Sequence, residues 1–109
     1  MSRGNTMGNT MRLWTWRGSW FGYRAGRELW THDGHHVGRF IGDVVYGPSG
    51  HYLGELQGGR LFSRRARRAL RGQTFVAQAP RVATVGHVDL VALPLLAGYN
   101  DFPRAQDLR

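Results

Sequence analysis

A leucine or valine followed by an aromatic residue recurs along this chain at Leu13-Trp14, Leu29-Trp30, Val45-Tyr46 and Leu61-Phe62, sixteen residues apart each time. A further apolar column, Phe21, Val37, Leu53 and Ala69, keeps the same step. Glycine marks three more columns: Gly18, Gly34 and Gly50; Gly22, Gly38 and Gly54; Gly26, Gly42 and Gly58. A period of this length is the signature of a repeated supersecondary unit. Aligned without gaps, the copies are LWTWRGSWFGYRAGRE (13–28), LWTHDGHHVGRFIGDV (29–44), VYGPSGHYLGELQGGR (45–60) and LFSRRARRALRGQTFV (61–76). The fourth copy keeps the apolar columns but carries Ala66, Leu70 and Thr74 where the others have glycine.

One copy reads as a β-hairpin. Asp33-Gly34 is a two-residue type I′ turn signal, with Arg17-Gly18 and Ser49-Gly50 at the same place. That turn sets His32 opposite His35, Thr31 opposite His36 and Trp30 opposite Val37. The aromatic–apolar pair recurs as Trp14 with Phe21 and Tyr46 with Leu53, a stabilising cross-strand contact. The glycines of the Gly22 column mark a close backbone approach or a bend. Gly26-Arg27, Gly42-Asp43 and Gly58-Gly59 then join one hairpin to the next. The predicted fold is all-β: four pseudo-fourfold-related hairpins over residues 13–76, sharing one core, with Trp14 and Trp30 in its aromatic column. Residues 1–12 read as a mobile arm. Residues 75–96, valine-rich and bounded by Pro80 and Pro94, predict one or two further strands. Residues 77–109 are expected to pack on the same domain, with Tyr99 and Phe102 folding back onto it.

The repeated L-W-T-x-x-G-x-x-x-G pattern, the VYGPSGHYLGEL of the third copy and the closing AGYNDFP (97–103) resemble the 4-fold beta flower family of small bacterial proteins. The resemblance covers residues 13–76 and the terminal stretch, and is loose over 77–96. It implies four symmetric hairpins and carries over no catalytic residue. The SRRARRALRG of the fourth copy departs from the pattern, and leaves open whether that copy is a hairpin or an arginine-rich helical turn.

Charge adds one feature. All 15 basic residues are arginines, and six of them fall between Arg60 and Arg71. The remaining nine are nearly balanced by seven acidic residues, so the formal +8 is concentrated in the degraded copy. Arg64, Arg65, Arg67, Arg68 and Arg71 are therefore candidate contacts for nucleic acid or another polyanion, with Trp20, Tyr23 and Tyr52 as stacking partners. The alternative for the cluster is a solvated face, its arginines lying on aromatic rings. Trp16 and Trp20 fall outside the consistent apolar columns and are candidates for binding a ring-shaped ligand or a protein partner.

Enzymatic chemistry has little support. There is no cysteine, no phosphate-binding loop and no nucleophile-elbow motif, and Asp33 and Asp43 sit in turns. His32, His35 and His51 were considered as metal ligands, but the column of His32 reads Trp16, Pro48 and Arg64 in the other copies, and His36 points to the opposite face. The expectation is a non-catalytic binding or interaction module without metal or cofactor, its partner a protein or a polyanion. The alternative is a basic nucleic-acid-binding protein using the arginine cluster. No run of about 18 apolar residues marks a membrane span, and MSRGNTMGNT lacks the apolar stretch of a signal peptide, so a cytoplasmic location is expected.

Overall fold

A computed structural model describes residues 10–84 and 86–108, so residues 1–9 of the expected arm lie outside the described residues. The fold is all-β. Eight strands follow in chain order: β1 (Thr10–Thr15), β2 (Trp20–Ala25), β3 (Glu28–Thr31), β4 (His36–Ile41), β5 (Val44–Tyr46), β6 (Tyr52–Gln57), β7 (Arg60–Arg64) and β8 (Tyr99–Asp101). Residues 10–12, read as part of the arm, thus belong to the first strand. Neighbours pair antiparallel from β1 to β7, and β1 meets β7 in parallel, as an odd number of alternating strands requires. The result is a closed seven-stranded barrel. The outer edge of β7 is divided: Arg60 and Leu61 pair with β1, while Phe62, Ser63 and Arg64 pair with β8. No helix among the described residues is long and apolar enough to cross a membrane.

Three consecutive hairpins, β1–β2, β3–β4 and β5–β6, share one tip geometry. In each, a glycine N–H donates to the carbonyl three residues earlier: Gly18 to Thr15, Gly34 to Thr31 and Gly50 to Gly47, at 2.8–3.0 Å. Those glycines have φ of 97°, 91° and 83°, and no other residue type has positive φ among the described residues. The type I′ turn expected at Asp33-Gly34 is therefore not formed, because Asp33 would need positive φ. The chain instead makes a type I turn closed by a left-handed glycine, the usual three-residue hairpin loop. His32 becomes a central turn residue and does not face His35, whose carbonyl accepts from Thr31.

The expected pairings shift accordingly. Trp14 faces Trp20, Trp30 faces His36 and Tyr46 faces Tyr52, each beside a register shift, whereas Leu29 faces Gly38 and Val45 faces Gly54 as read from the sequence. The bulge frees Phe21, Val37 and Leu53 from the ladder, and all three join the core. The barrel interior holds Leu13, Leu29, Val45 and Leu61 with that column, and Phe102 and Ala105 close it from the C-terminal end. The aromatic column Trp14, Trp30, Tyr46 and Phe62 therefore does not share this core. Of its members Trp30 and Phe62 are buried, Trp30 under a segment that crosses the outside of the barrel.

That segment is the stretch from Gly72 to Leu93. It runs over the three tips in reverse order, donating two backbone bonds to each: Gly72 to Gly50 and Phe75 to Pro48, Arg81 to Gly34 and Thr84 to His32, Leu90 to Gly18 and Leu93 to Trp16. The donors advance by nine residues per tip. With pairs so widely spaced no ladder forms, and the strands expected over 75–96 are absent among the described residues. Each tip glycine lies directly beneath this strap. A Cβ on Gly34 would collide with the Arg81 carbonyl, and one on Gly18 with that of Leu90.

The fourth copy does not form a hairpin. Beyond β7 the chain enters a single 3₁₀ turn, Arg65–Arg67, and Ala69 is exposed where its column is buried elsewhere. Without the turn glycine that Ala66 replaces, the left-handed tip is unavailable to the backbone. The neighbour of β7 comes instead from β8, followed by the short helix α1 (Ala105–Leu108).

Candidate functional site

The hairpin geometry creates equivalent places on the outer surface, one between each hairpin and the next strand pair. Their walls come from two columns of the repeat: Trp20, His36 and Tyr52, and Tyr23, Arg39 and Glu55. The strap or the chain after β7 passes over each.

Between the second and third hairpins the place is filled. His36, its side chain fully buried, lies 2.7 Å from Glu28 Oε1, and its Nδ1 accepts from the backbone N–H of Gln78 at 2.9 Å. Because a backbone N–H can only donate, Nε2 carries the ring proton and faces Glu28. Phe75 of the strap inserts its ring 5.0 Å from His36 and 4.6 Å below the Arg39 guanidinium. Burial pushes the Glu28 carboxyl upward, but hydrogen bonds from Arg39 and His36 and the charge of Arg39 outweigh it and hold the group below its ordinary value. Only a recess of about 60 Å³ remains beside Arg39, lined also by Arg27, Tyr46 and Gln73.

Between the third hairpin and β7 the place is filled by charge. Tyr52 donates its hydroxyl proton to Glu55 Oε2 at 2.9 Å and accepts the Arg64 backbone N–H at 3.0 Å. Arg64 and Arg67 bring Nε to 3.4 and 3.7 Å from the same carboxylate oxygen. Arg64 Nε is buried without a hydrogen bond, so its contact with Glu55 is an ion pair only. Burial pushes the Tyr52 phenol up to about 12, and the bond to Glu55 adds to the rise while the Arg64 N–H opposes it. An unfolded phenol loses its proton near pH 10, so stability from this group is present below that value and is lost as pH rises toward 12. Tyr52→Phe is expected to cost about 1–3 kcal/mol at pH 8, by stranding its two partners. It should also remove part of the alkaline loss of stability, read from urea unfolding at pH 8 and pH 11.

Between the first and second hairpins the place is open. Arg12, Tyr23 and Trp30 lie in one row as register partners across β1, β2 and β3. The rings of Tyr23 and Trp30 are 6.3 Å apart and nearly parallel at 7°. The Arg81 guanidinium sits 3.8 Å over Trp30 and donates to Tyr23 Oη at 3.4 Å. Trp20 forms the side wall, braced by Trp14 at 5.4 Å, His87 at 4.6 Å and His32 at 6.2 Å. The Trp20 backbone N–H is held by Asp89 Oδ1 at 2.8 Å. Above them the strap offers Thr84 where the neighbouring place has Phe75. The small side chain leaves a cleft of about 300 Å³ lined by Thr10, Arg12, Trp20, Tyr23, Arg81, Thr84 and His87.

The residues singled out in the sequence are distributed unevenly over these places. Trp20 lines the open cleft. Trp16 is half-buried elsewhere, 5.3 Å from Phe62, its Nε1 donating to the Pro94 carbonyl at 3.0 Å. The two tryptophans therefore do not form one exposed pair. Arg64 and Arg67 turn inward to Glu55, Arg71 donates to the carbonyls of Arg68 and Leu70, and Arg65, Arg68 and Arg71 are exposed. His32 is against Trp20, and His51 Nδ1 is 2.6 Å from Ser49 Oγ on a different tip. No group of three or more metal-ligating side chains gathers among the described residues. Sequence reasoning missed Arg12, Arg81, Thr84 and His87, because three of them belong to the strap and Arg12 was assigned to the arm. Compared with models of protein families, with curated proteins and with solved structures, the chain matches none.

Proposed function

We propose that the protein is a non-catalytic binding module whose ligand enters the cleft between the first and second hairpins. One observation carries this reading: among the described residues, two of three equivalent places are filled by the chain's own groups and the third is open and aromatic. In this reading the barrel derives from the four-petalled plan that the repeat suggests, and β8 pairs with β7 where the fourth copy forms no hairpin. An open site walled by Trp20 and Tyr23, with Arg12, Arg81, Thr84 and His87 as polar anchors, has the make-up of a small-molecule seat. Thr84→Phe should close it, since the new ring stands where Phe75 stands next door. Titration of wild type with indole, followed by calorimetry, is expected to saturate, and the Thr84→Phe variant to show no saturable change. Equal responses from the two proteins would place no ligand in the cleft.

A second reading draws on Arg65 and Arg68, which are exposed and make no ion pair among the described residues. They would contribute to contact with a polyanion, recognisable by a steep dependence of binding on salt.

A further inference from the structure

We propose that the ligand of the open cleft is a planar aromatic ring carrying an anionic group, a phosphate or a carboxylate, of about the size of a mononucleotide. This rests on the cleft being the binding site.

The ring is specified by the protein's own example. In the neighbouring place the strap delivers Phe75 between a flat π-system and a guanidinium, His36 at 5.0 Å and Arg39 at 4.6 Å. The residues at the same two columns of the open place are Trp20 and Tyr23, which offer π-surface in place of polar partners. A flat ring in the position of Phe75 would meet both. Offset or edge contacts of this kind stabilise a bound ring beyond the apolar area it buries. The cleft, about 300 Å³, is at the lower end of the roughly 300–1,000 Å³ range of small-molecule sites. It holds one ring system and a compact substituent.

The anion is specified by charge. Arg12 and Arg81 line the cleft, and among the described residues no carboxylate does. Arg12 is exposed and forms no ion pair or side-chain hydrogen bond among the described residues. Arg81 is held in place by Trp30 beneath its face and by Tyr23 Oη, which leaves most of its N–H donors directed elsewhere. A guanidinium fixed in orientation is suited to two-point contact with phosphate or carboxylate oxygens. Arg12 stands beside Tyr23 at one end of the row and Arg81 lies over Trp30 at the other, so an anion between them would be reached while the ring lies against Trp20.

The test is a calorimetric titration of the full chain with four probes: adenosine monophosphate, indole-3-carboxylate, adenosine and inorganic phosphate. Binding of at least one of the first two is expected, ten- to a hundredfold tighter than either adenosine or phosphate alone. The tighter of the two identifies the anion as phosphate or carboxylate. Arg12→Ala, a change at an exposed strand position, should weaken the anionic ring by about tenfold and leave adenosine unaffected. Adenosine binding as tightly as the monophosphate, or Arg12→Ala without effect, overturns the ligand class. In that case loss of adenosine binding in Thr84→Phe would still uphold the cleft as the site. If no probe binds wild type, and indole does not distinguish it from Thr84→Phe, both the class and the site fall.

Discussion

Gly34→Ala is expected to destabilise the protein by about 3–5 kcal/mol, from two effects that act together. The residue adopts φ +91°, and the left-handed region costs an alanine about 1–2 kcal/mol. The new methyl group would also collide with the Arg81 carbonyl, so the strap must lift from this tip. Lifting breaks the bonds from Arg81 to Gly34 and from Thr84 to His32, each 2.8 Å long, and takes the Arg81 guanidinium off Trp30. Two net backbone bonds and one cation–π contact add roughly 2–3 kcal/mol. Gly42→Ala separates the two causes, because Gly42 has φ +63° but nothing within 4 Å of a new Cβ. Its cost should stay near 1–2 kcal/mol. Urea midpoints measured side by side give the comparison, and equal losses in the two variants would remove the strap from the explanation. A lifted strap should also be cut faster by protease near Arg81.

Phe102→Ala is expected to cost a similar 3–5 kcal/mol, by a different mechanism. Phe102 is 2% exposed, and its ring meets Phe21 edge-on at 5.3 Å. It reaches the barrel interior over Gly54, where a Cβ would come within 2.8 Å of the ring. Truncation removes the ring's transfer free energy and leaves a cavity that a closed barrel is poorly able to collapse around. The preceding strand β8 is only three residues long, so Phe102 and Ala105 supply most of what docks the C-terminal segment. Tyr99→Ala is the comparison. Tyr99 is half-buried and stacks on Phe62 at 5.2 Å outside the core, and its loss should be clearly smaller. A loss no greater for Phe102→Ala than for Tyr99→Ala would mean that Phe102 does not close the barrel.

Legibility of the candidate site follows the same division as legibility of the fold. Trp20 stood out because it falls outside the consistent apolar columns of the repeat, and Tyr23 as an aromatic stacking partner for the arginines. Arg81, Thr84 and His87 carried no signal, since their place depends on which tip the strap has reached. Thr84 has meaning only beside Phe75, and the two become equivalent once the strap is known to advance nine residues per tip. No column of the segments 72–80, 81–89 and 90–98, aligned at that period, holds the same residue in all three. Equally, nothing local distinguishes a type I turn with a left-handed glycine from a type I′ turn at Asp33-Gly34, and the choice displaced every pairing between tip and bulge by one residue.

What the sequence by itself determined is the set of features made by neighbours along the chain. Glycines at sixteen-residue intervals placed the turns, and alternating columns placed the strands and named Leu13, Leu29, Val45 and Leu61 as core. Arginines without glycines marked the copy that fails to form a hairpin. The tertiary structure alone decided the closing of β1 onto β7, the replacement of the lost strand by residues 99–101, and the path of the strap. The physical reason is that these contacts are made by backbone N–H and carbonyl groups, which every residue but proline offers alike. Their one trace in the sequence is negative. Gly18, Gly34 and Gly50 are required both by their turns and by the backbone that lies across them.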